Sequence, residues 1–188
     1  MNNAVSVIAE EIKKREKPLL AAIDGRCAAG KTTLAEQLRE TLGCNVIHAD
    51  SFFPRPEQRT AERLNEPGGN LDYERLLDEV IFPLKRGEAF SYRPFSCKTQ
   101  SLVGEIHVEP NDITIIEGSY SCHPTLWEHY GLRVFLTVDP EEQLRRIERR
   151  NGADALTVFR ERWIPLEEKF FAELNVAEHC DLVFDTRE

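Results

Sequence analysis

An eight-residue stretch near the N-terminus constrains the fold of this 188-residue chain more than any other feature. It follows the apolar segment 19–24, precedes a segment with the spacing of an amphipathic helix, and matches the pattern G-x-x-x-x-G-K-[ST]; its residues are Gly25, Arg26, Cys27, Ala28, Ala29, Gly30, Lys31 and Thr32. A strand that turns into a helix through such a stretch points successive backbone N–H groups, and the positive end of the helix, at one place. The sequence therefore predicts a site for nucleotide phosphates.

The positions of this loop have separate roles. Gly25 and Gly30 let the backbone approach phosphate oxygens, because a larger side chain would block the contact. We expect Lys31 to reach the β- and γ-phosphates, the Thr32 hydroxyl to coordinate a bridging Mg²⁺, and Thr33 to bond the α-phosphate. An accidental Lys-Thr in a glycine-containing turn is disfavoured, since strand and helix patterns flank it. The expected cofactors are ATP and Mg²⁺; N-K-x-D, which selects guanine in regulatory GTPases, is absent.

Along the rest of the chain, apolar runs of strand length alternate with helical patterns. Such alternation is typical of an α/β fold in which a mostly parallel sheet is covered by helices on both faces. The predicted strands are 19–24, 45–48, 113–117, 132–138 and 181–185. The predicted helices are 5–15, 31–42, 73–84, 141–150 and 156–174, the last of them kinked or split by Pro165.

Two connecting segments are predicted to add to that sheet. The stretch 53–70, rich in proline, glycine and charge, is expected to be a mobile surface connection, and loops of that length often serve as lids. Within 90–108, extended segments at 92–97 and 102–108 predict a small hairpin at the edge of the main sheet. No internal repeat divides the chain, so we expect a single domain over 1–188.

Composition restricts the partners and the compartment. Twenty-four Lys and Arg against 33 Asp and Glu give a net charge of -9, which repels nucleic acid and anionic lipid. No apolar run approaches the ~20 residues that a bilayer requires, and segment 1–16 lacks the apolar stretch of a signal peptide. The five cysteines form no C-x-x-C pair and are expected to be reduced thiols. A cytoplasmic protein without nucleic-acid or membrane partners is expected, while homo-oligomer formation stays open.

Two carboxylates follow predicted strands, at the sheet edge where open α/β sheets bind their ligands. Asp50 comes after strand 45–48 and is suited to accept the proton of an attacking hydroxyl. Glu117 ends strand 113–117 and is suited to hold Mg²⁺ or its water, with Asp50 as a further candidate ligand. The structural alternatives are an N-cap at Asp50 and a turn residue at Glu117.

A third candidate site is the segment 141–150, which contains four arginines. Helical spacing places Arg146 with Arg149 or Arg150 on one face, which would form a local anion site in an acidic protein. Such arginines can neutralise charge on a phosphoryl group during its transfer. The alternative is a solvated face of ion pairs four residues apart, such as Glu142 with Arg146.

Most of the chain resembles the uridine kinase and phosphoribulokinase family. The matching segments are Asp-Ser-Phe-Phe at 50–53, Glu-Gly at 117–118, the arginine-rich helix at 145–150 and Trp-Ile-Pro-Leu-Glu-Glu-Lys-Phe at 163–170. The resemblance implies a P-loop NTPase fold with a five-stranded sheet and a lid at about 141–160. It further implies that Asp50 is the general base, that Thr32 and Glu117 serve the magnesium site, and that Arg146 and Arg149 contact the phosphates.

The segment that would recognise the acceptor departs from this family. Nucleoside kinases of the family show Tyr-x-Phe-x-x-His-x-Arg after a proline, whereas here Pro94 is followed by 95–102 without that tyrosine, histidine or arginine. We expect weaker recognition of a nucleoside without the hydrogen bonds that those three side chains would make. The lid is also shorter than in the family, with Asn-Gly at 151–152. The prediction is a kinase that binds ATP and a small-molecule hydroxyl acceptor, with a nucleoside favoured. A vitamin precursor or a sugar phosphate is the alternative acceptor, and an ATP-binding regulatory module the alternative function.

Overall fold

The core of the molecule is an all-parallel sheet, and the computed structural model describes residues 2–186. The strands are β1 (Leu19–Gly25), β2 (Asn45–His48), β3 (Phe90–Tyr92), β4 (Phe95–Ser96), β5 (Ser101–Leu102), β6 (Ile106–Val108), β7 (Ile113–Glu117), β8 (Leu132–Thr137) and β9 (Leu182–Asp185). Five of them form the main sheet in the order β2-β7-β1-β8-β9. The predicted α/β fold with a five-stranded parallel sheet is therefore confirmed, with strand ends shifted by about one residue.

Helices cover both faces of this sheet. They are α1 (Asn2–Lys14), α2 (Lys31–Leu42), α3 (Ala61–Asn65), α4 (Tyr73–Leu76), α5 (Phe82–Arg86), α6 (Pro140–Asn151), α7 (Ala153–Val158) and α8 (Ile164–Glu173). Successive residues of the central strand β1 alternate between the two layers, as the pleat requires. Ile23 joins the core formed with α1 and α2, and Ala22 joins the core on the other face, which includes Phe170 of α8.

Two predicted helices differ from regular α-helices because each contains a proline. In both, a wide turn precedes the proline: Leu77–Ile81 comes before Pro83, and Phe159–Trp163 before Pro165. Proline lacks the N–H and clashes with the preceding turn, and a locally widened helix relieves both problems. The helix predicted at 73–84 is thus three consecutive segments. The one predicted at 156–174 begins at Ala153 and stays helical through Pro165, rather than splitting there.

The hairpin is present, but its predicted position is wrong. Strand β3 pairs with β6 and β4 with β5, both antiparallel, and neither pair is hydrogen-bonded to the main sheet. Phe90, Tyr92 and Val108 of the hairpin are buried in one of the two cores, and the Tyr92 ring lies 5.1 Å from that of Phe52. Burial of these apolar side chains therefore packs the hairpin against that core, and its strands do not extend the main sheet at its edge.

The segment 53–70 is also more ordered than its composition predicts. It contains the turn Pro56–Gln58 and helix α3, which the Thr60 side chain caps by accepting from the Arg63 N–H. The Arg63 guanidinium donates to the carbonyls of Gly69 and Leu71 at 3.1 and 2.8 Å and to the Glu74 carboxylate. One arginine thus organises the segment into a structured surface connection, and the mobility expected of it stays a prediction.

Four further expectations concern the membrane, the cysteines, the lid and the extent of the domain. Residues 2–186 contain no helix that is long and apolar enough to cross a membrane. All five cysteines are free thiols, as expected. The predicted lid, 141–160, comprises most of α6, all of α7 and the start of the wide turn that follows, and its closure stays a prediction. The predicted domain includes residues 1, 187 and 188, which lie outside the described residues.

Candidate functional site

The turn between β1 and α2 has a backbone that only glycine can adopt at its first position. Gly25 has φ +132°, and a Cβ atom there would lie 1.9 Å from the carbonyl oxygen of Leu136. The next N–H, that of Arg26, donates to the same carbonyl at 3.0 Å. Ala28 and Gly30 also have positive φ, of 60° and 95°. Contact with β8 therefore fixes the path of the backbone at the start of the loop.

Lys31, the first residue of α2, is buried inside this loop, with 8% of its surface exposed. Its ammonium group donates to the carbonyls of Gly25 and Arg26, at 2.6 and 3.0 Å. A buried cation needs such partners, because water is largely excluded from it. The ammonium group consequently lies at the centre of the concave loop, where an anionic ligand would meet it.

Thr32, Glu117 and His48 form a connected group beside the loop. The Thr32 hydroxyl lies 3.2 Å from Glu117 Oε1, and His48 Nδ1 lies 2.6 Å from the same oxygen. The register of β2 on β7 places His48 opposite Glu117, so the sheet itself brings them together. The hydrogen bond to the Glu117 carboxylate raises the pKa of His48 and favours the imidazolium form.

The oxygen atoms of this group fit a magnesium ion. A hydroxyl and a carboxylate are hard ligands, and Mg²⁺ typically takes only one or two protein ligands together with phosphates and water. Within residues 2–186, no cluster of three or more His, Cys, Asp or Glu side chains could hold a metal by itself. Thr32 and Glu117 are the residues of this group that would hold such an ion.

Asp50 lies in a turn (Ala49–Phe52) that directly follows β2, close to these groups. Its side chain is exposed at the wall of a cavity, and partial desolvation by the surrounding protein raises the pKa of the carboxyl. Lys31 opposes the shift, whereas the carboxylates of Glu117 and Glu167 add to it. Asp50 therefore holds a proton more tightly than an aspartate on an open surface.

One cavity of about 860 Å³ joins the loop at 25–32 to these carboxylates and to residues much later in the chain. Because the sequence predicts that this loop binds phosphates, we call it the phosphate loop. This volume suits a ligand of drug or nucleotide size. Six cationic and three acidic side chains line it, which makes it locally basic in an acidic protein; they are Lys31, Arg59, Arg146, Arg149, Arg150, Arg162, Asp50, Glu117 and Glu167. From this loop and the first turn of α2, Cys27, Ala28, Gly30, Thr32 and Thr33 also line the cavity.

The two lid arginines predicted from the sequence both line this cavity, but they differ in their contacts and exposure. Arg146 donates to Glu142 at 2.8 Å and to the carbonyl of Thr186 at 2.7 Å, which holds it against the end of β9. Arg149 is 70% exposed, with Glu142 at 3.8 Å. Only Arg146 is held in place, whereas Arg149 is free to move towards a ligand.

A carboxylate from α8 that was not predicted from the sequence contacts the phosphate loop. Glu167, with 4% of its surface exposed, accepts from the Cys27 N–H at 2.9 Å and from the Ser119 hydroxyl at 2.6 Å. The neighbouring Glu168 pairs with Arg26 at 3.1 Å, so that arginine side chain is directed at α8 and does not line the cavity. The only sequence signal for this contact was the resemblance of the segment 163–170.

Asp24, the residue before the loop, was also missed as a structural anchor. It is completely buried and accepts from the backbone N–H groups of Gly25, Tyr120 and Cys122 at 2.6, 3.2 and 2.8 Å. Burial raises the pKa of this carboxyl to about 6. The bonds join β1 to the loop after β7, which positions Tyr120 and Ser119 beside the cavity. In the sequence, the signal for this anchor was a charged residue at the end of an otherwise apolar strand segment.

Comparison with known proteins gives a consistent resemblance. No protein-family model matches the chain. A uridine kinase of Lactobacillus helveticus (strain DPC 4571) is 24% identical over 148 residues, which are 72% of this chain and 69% of that protein. A structure described as a possible uridine kinase from Bacillus stearothermophilus superposes with a TM-score of 0.72 over 98% of both chains, at 21% identity.

A shikimate kinase from Acinetobacter baumannii, solved with shikimate, gives a TM-score of 0.52 over 94% of this chain and 88% of its own, at 18% identity. These structures share the fold of a P-loop kinase with the present chain. The resemblance to uridine kinase that the sequence predicted is therefore confirmed.

Proposed function

We propose that the protein is a kinase that uses ATP and Mg²⁺ to phosphorylate a hydroxyl group of a small molecule. The observation that carries this proposal is the arrangement of Asp50, Lys31 and the Thr32–Glu117 pair around one cavity at the phosphate loop. Phosphoryl transfer mainly needs positioning and stabilisation of charge, and these residues offer a candidate for each task.

Each residue has a defined part in this proposal. The ammonium group of Lys31 stabilises negative charge on the β- and γ-phosphates, and the loop amides hold the remaining phosphate oxygens. Thr32 and Glu117 would hold Mg²⁺, which, when bound, neutralises charge on the phosphates. Arg146 and Arg149 supply further positive charge from α6.

Asp50 is proposed as the general base. As the acceptor oxygen attacks the γ-phosphorus, its proton passes to the Asp50 carboxylate. The raised pKa of Asp50 favours that step, because a carboxylate with higher affinity for a proton is the stronger base. The sequence also named Asp50 as a candidate metal ligand, and the two roles differ in what its loss does to nucleotide binding.

The competing functional proposal is a regulatory module that binds ATP without phosphorylating a metabolite. Such a module has no use for a base beside the phosphate loop, and Asp50 therefore favours the kinase. A nucleoside, a vitamin precursor and a sugar phosphate are the acceptors proposed from the sequence. The cytoplasmic location, the lack of nucleic-acid and membrane partners and the open question of oligomeric state stay predictions of the sequence.

The test is to follow ADP release from Mg-ATP in the presence of nucleosides, pantothenate and sugar phosphates. An accepted molecule raises ADP release above basal hydrolysis, and we expect Asp50→Asn to lower kcat by about 10³-fold, the typical contribution of a general base. If Asp50 is the base, Mg-ATP affinity persists; if it is a metal ligand, affinity falls as well. Asp78→Asn, which makes the same change at an exposed position outside the cavity, is the control. Absence of stimulation by every acceptor would favour the regulatory module.

A further inference from the structure

Two buried polar side chains at this cavity have no partner within the described protein. Asn70 is 9% exposed and Tyr120 only 3%, and both line the cavity with Asp50. Neither the Asn70 amide nor the Tyr120 hydroxyl makes a hydrogen bond to any residue that the structure describes, although the Tyr120 ring packs edge-on against Phe170 at 5.1 Å. Buried polar groups are nearly always hydrogen-bonded. Neither group is among the polar atoms sealed inside the protein without a partner, so both face the cavity, where a polar ligand beside Asp50 would satisfy them.

A guanidinium group lines the same cavity without an acidic partner. Arg59 Nε donates to the carbonyl of Pro54 at 2.7 Å, and the guanidinium lies over the Phe95 ring, 5.0 Å from its centroid. Across residues 2–186, no carboxylate lies within 4.0 Å of it, and its two terminal nitrogens make no hydrogen bond. The carbonyl and the ring hold the side chain in place, and those terminal donors stay available.

The backbone brings these groups together before any ligand binds. The Asp72 N–H donates to the carbonyl of Phe52 at 2.7 Å and closes the segment between them into a loop. Both ends of that loop consequently lie beside Asp50, with Phe53 at one end and Asn70 at the other. Arg59 belongs to the same loop, and the ring that supports it comes from β4 of the hairpin, directly after Pro94. We call the set Phe53, Arg59, Asn70 and Tyr120 the acceptor pocket.

We propose that the acceptor pocket binds an acidic alcohol, whose carboxylate or phosphate group pairs with Arg59 while Asn70 and Tyr120 hydrogen-bond its hydroxyl groups and hold one at Asp50. This inference rests on the proposed kinase function and specifies its substrate class. An arginine fork matches the two oxygens of a carboxylate or phosphate. A neutral acceptor would leave the held, partly desolvated guanidinium without an anion.

The reaction balances with the residues of the site. A hydroxyl oxygen of the acid forms a bond to the γ-phosphorus of ATP, and the bond from that phosphorus to the β–γ bridging oxygen breaks. ADP leaves with the electron pair of the broken bond, and the hydroxyl proton passes to Asp50. The acid group on Arg59 takes no part in the transfer, because it serves only to orient the alcohol.

The test compares alcohols that differ in the acid group, at saturating Mg-ATP, through kcat/KM for ADP release. The pairs are pantothenate with pantothenol and glycerate with glycerol, for a carboxylate, and ribose 5-phosphate with ribose, for a phosphate. We expect at least one acid to exceed its neutral partner by about 100-fold. Arg59→Gln should lower that ratio by about 10- to 100-fold, the cost of losing a charge-assisted hydrogen bond.

Three variants separate recognition of the acid from general damage. Arg59→Lys keeps the charge without the planar fork and should lose less of the ratio than Arg59→Gln. Tyr120→Phe keeps the ring and should lower kcat/KM for both members of a pair alike. Arg86→Gln, a change of equal charge at an exposed position of α5 outside both the cavity and the lid, should leave the ratio and basal ATP hydrolysis unchanged.

The outcomes are distinct. A ratio that is high in the wild type and collapses in Arg59→Gln supports the inference, and the responding pair identifies the acid as carboxylate or phosphate. Equal use of both members, preference for the neutral member, or no stimulation by any acid in a protein that binds Mg-ATP overturns the inference and leaves the kinase proposal standing. A wild type that does not bind Mg-ATP removes the proposed function first, and the inference with it.

Discussion

The two ends of the cavity differ in how their functional groups are held. At the phosphate loop every important group already has a protein partner: Lys31 bonds to loop carbonyls, and the Thr32 hydroxyl contacts the Glu117 carboxylate. In the acceptor pocket, the Asn70 amide and the terminal nitrogens of Arg59 are without hydrogen bonds to the described protein. The difference indicates that backbone geometry defines the phosphate end, whereas side chains specific to this sequence define the acceptor end.

The largest expected effect tests the claim that the phosphate end depends on its backbone. Gly25→Ala should destabilise the protein by at least about 3 kcal/mol, because the new Cβ would clash with the Leu136 carbonyl at a φ of +132°. Gly104→Ala, in the hairpin, is the matched control: its φ is +55°, but no atom lies within 4 Å of the added Cβ. It should cost only about 1 kcal/mol. Urea unfolding measures both, and equal losses would contradict the proposed contrast.

A smaller effect is expected where α8 meets the phosphate loop. Glu167→Ala leaves the Cys27 N–H and the Ser119 hydroxyl without their acceptor, and it should cost about 2 kcal/mol of unfolding free energy. Glu167→Gln should cost less than about 1 kcal/mol, because its carbonyl can still accept from the N–H while its amide donates to the hydroxyl. Urea unfolding measures both variants. Equal losses of unfolding free energy in the alanine and glutamine variants would show that these two hydrogen bonds do not account for the stabilising effect of Glu167.

The smallest effect concerns the packing beneath the acceptor loop and depends on pH. Burial and, to a lesser extent, the nearby Arg63 guanidinium lower the pKa of His123 to about 4. Its ring stacks on Tyr73, 4.4 Å between centroids. Since the unfolded pKa of about 6.5 is the higher one, protons bind the unfolded chain first. The stability that neutral His123 provides is complete above pH 6.5 and is lost as the pH falls towards 4.

Between pH 6.5 and 5.5 this loss should amount to about 1 kcal/mol. His123→Phe keeps a stacked ring and removes the titration, so the variant should lose about 1 kcal/mol less than the wild type over that interval. The comparison of the two slopes cancels the contribution of every other titrating group. Parallel slopes would show that His123 is not buried in its neutral form.

The same contrast explains what the sequence could predict. Short local patterns in the sequence predict the phosphate loop and the strands. The ends of those strands then give the positions of Asp50 and Glu117. His48 was recoverable as well, since it ends β2 as Glu117 ends β7 and the register pairs them. Local geometry and the alternation of strands and helices were therefore sufficient to predict the residues at this end of the cavity.

The acceptor pocket was not predictable in the same way. The order of the segment 53–70 comes from Arg63, whose bonds to Gly69 and Leu71 no periodicity signals. Glu167 reaches the phosphate loop across more than a hundred residues of sequence, and Arg59 depends on the ring of Phe95 from the hairpin. Contacts of this kind are set by tertiary packing, and local patterns carry no information about them.

The most direct measurement of the central claim is calorimetric titration of the folded protein with a non-hydrolysable Mg-ATP analogue. We predict binding that requires Mg²⁺, and a loss of affinity of at least about 100-fold in Lys31→Met, which keeps a long side chain but removes the buried charge. Lys98→Met, an exposed lysine outside the cavity, should bind as the wild type does. Failure of the wild type to bind the analogue, or unchanged affinity in Lys31→Met, would contradict the assignment of this loop as the nucleotide site.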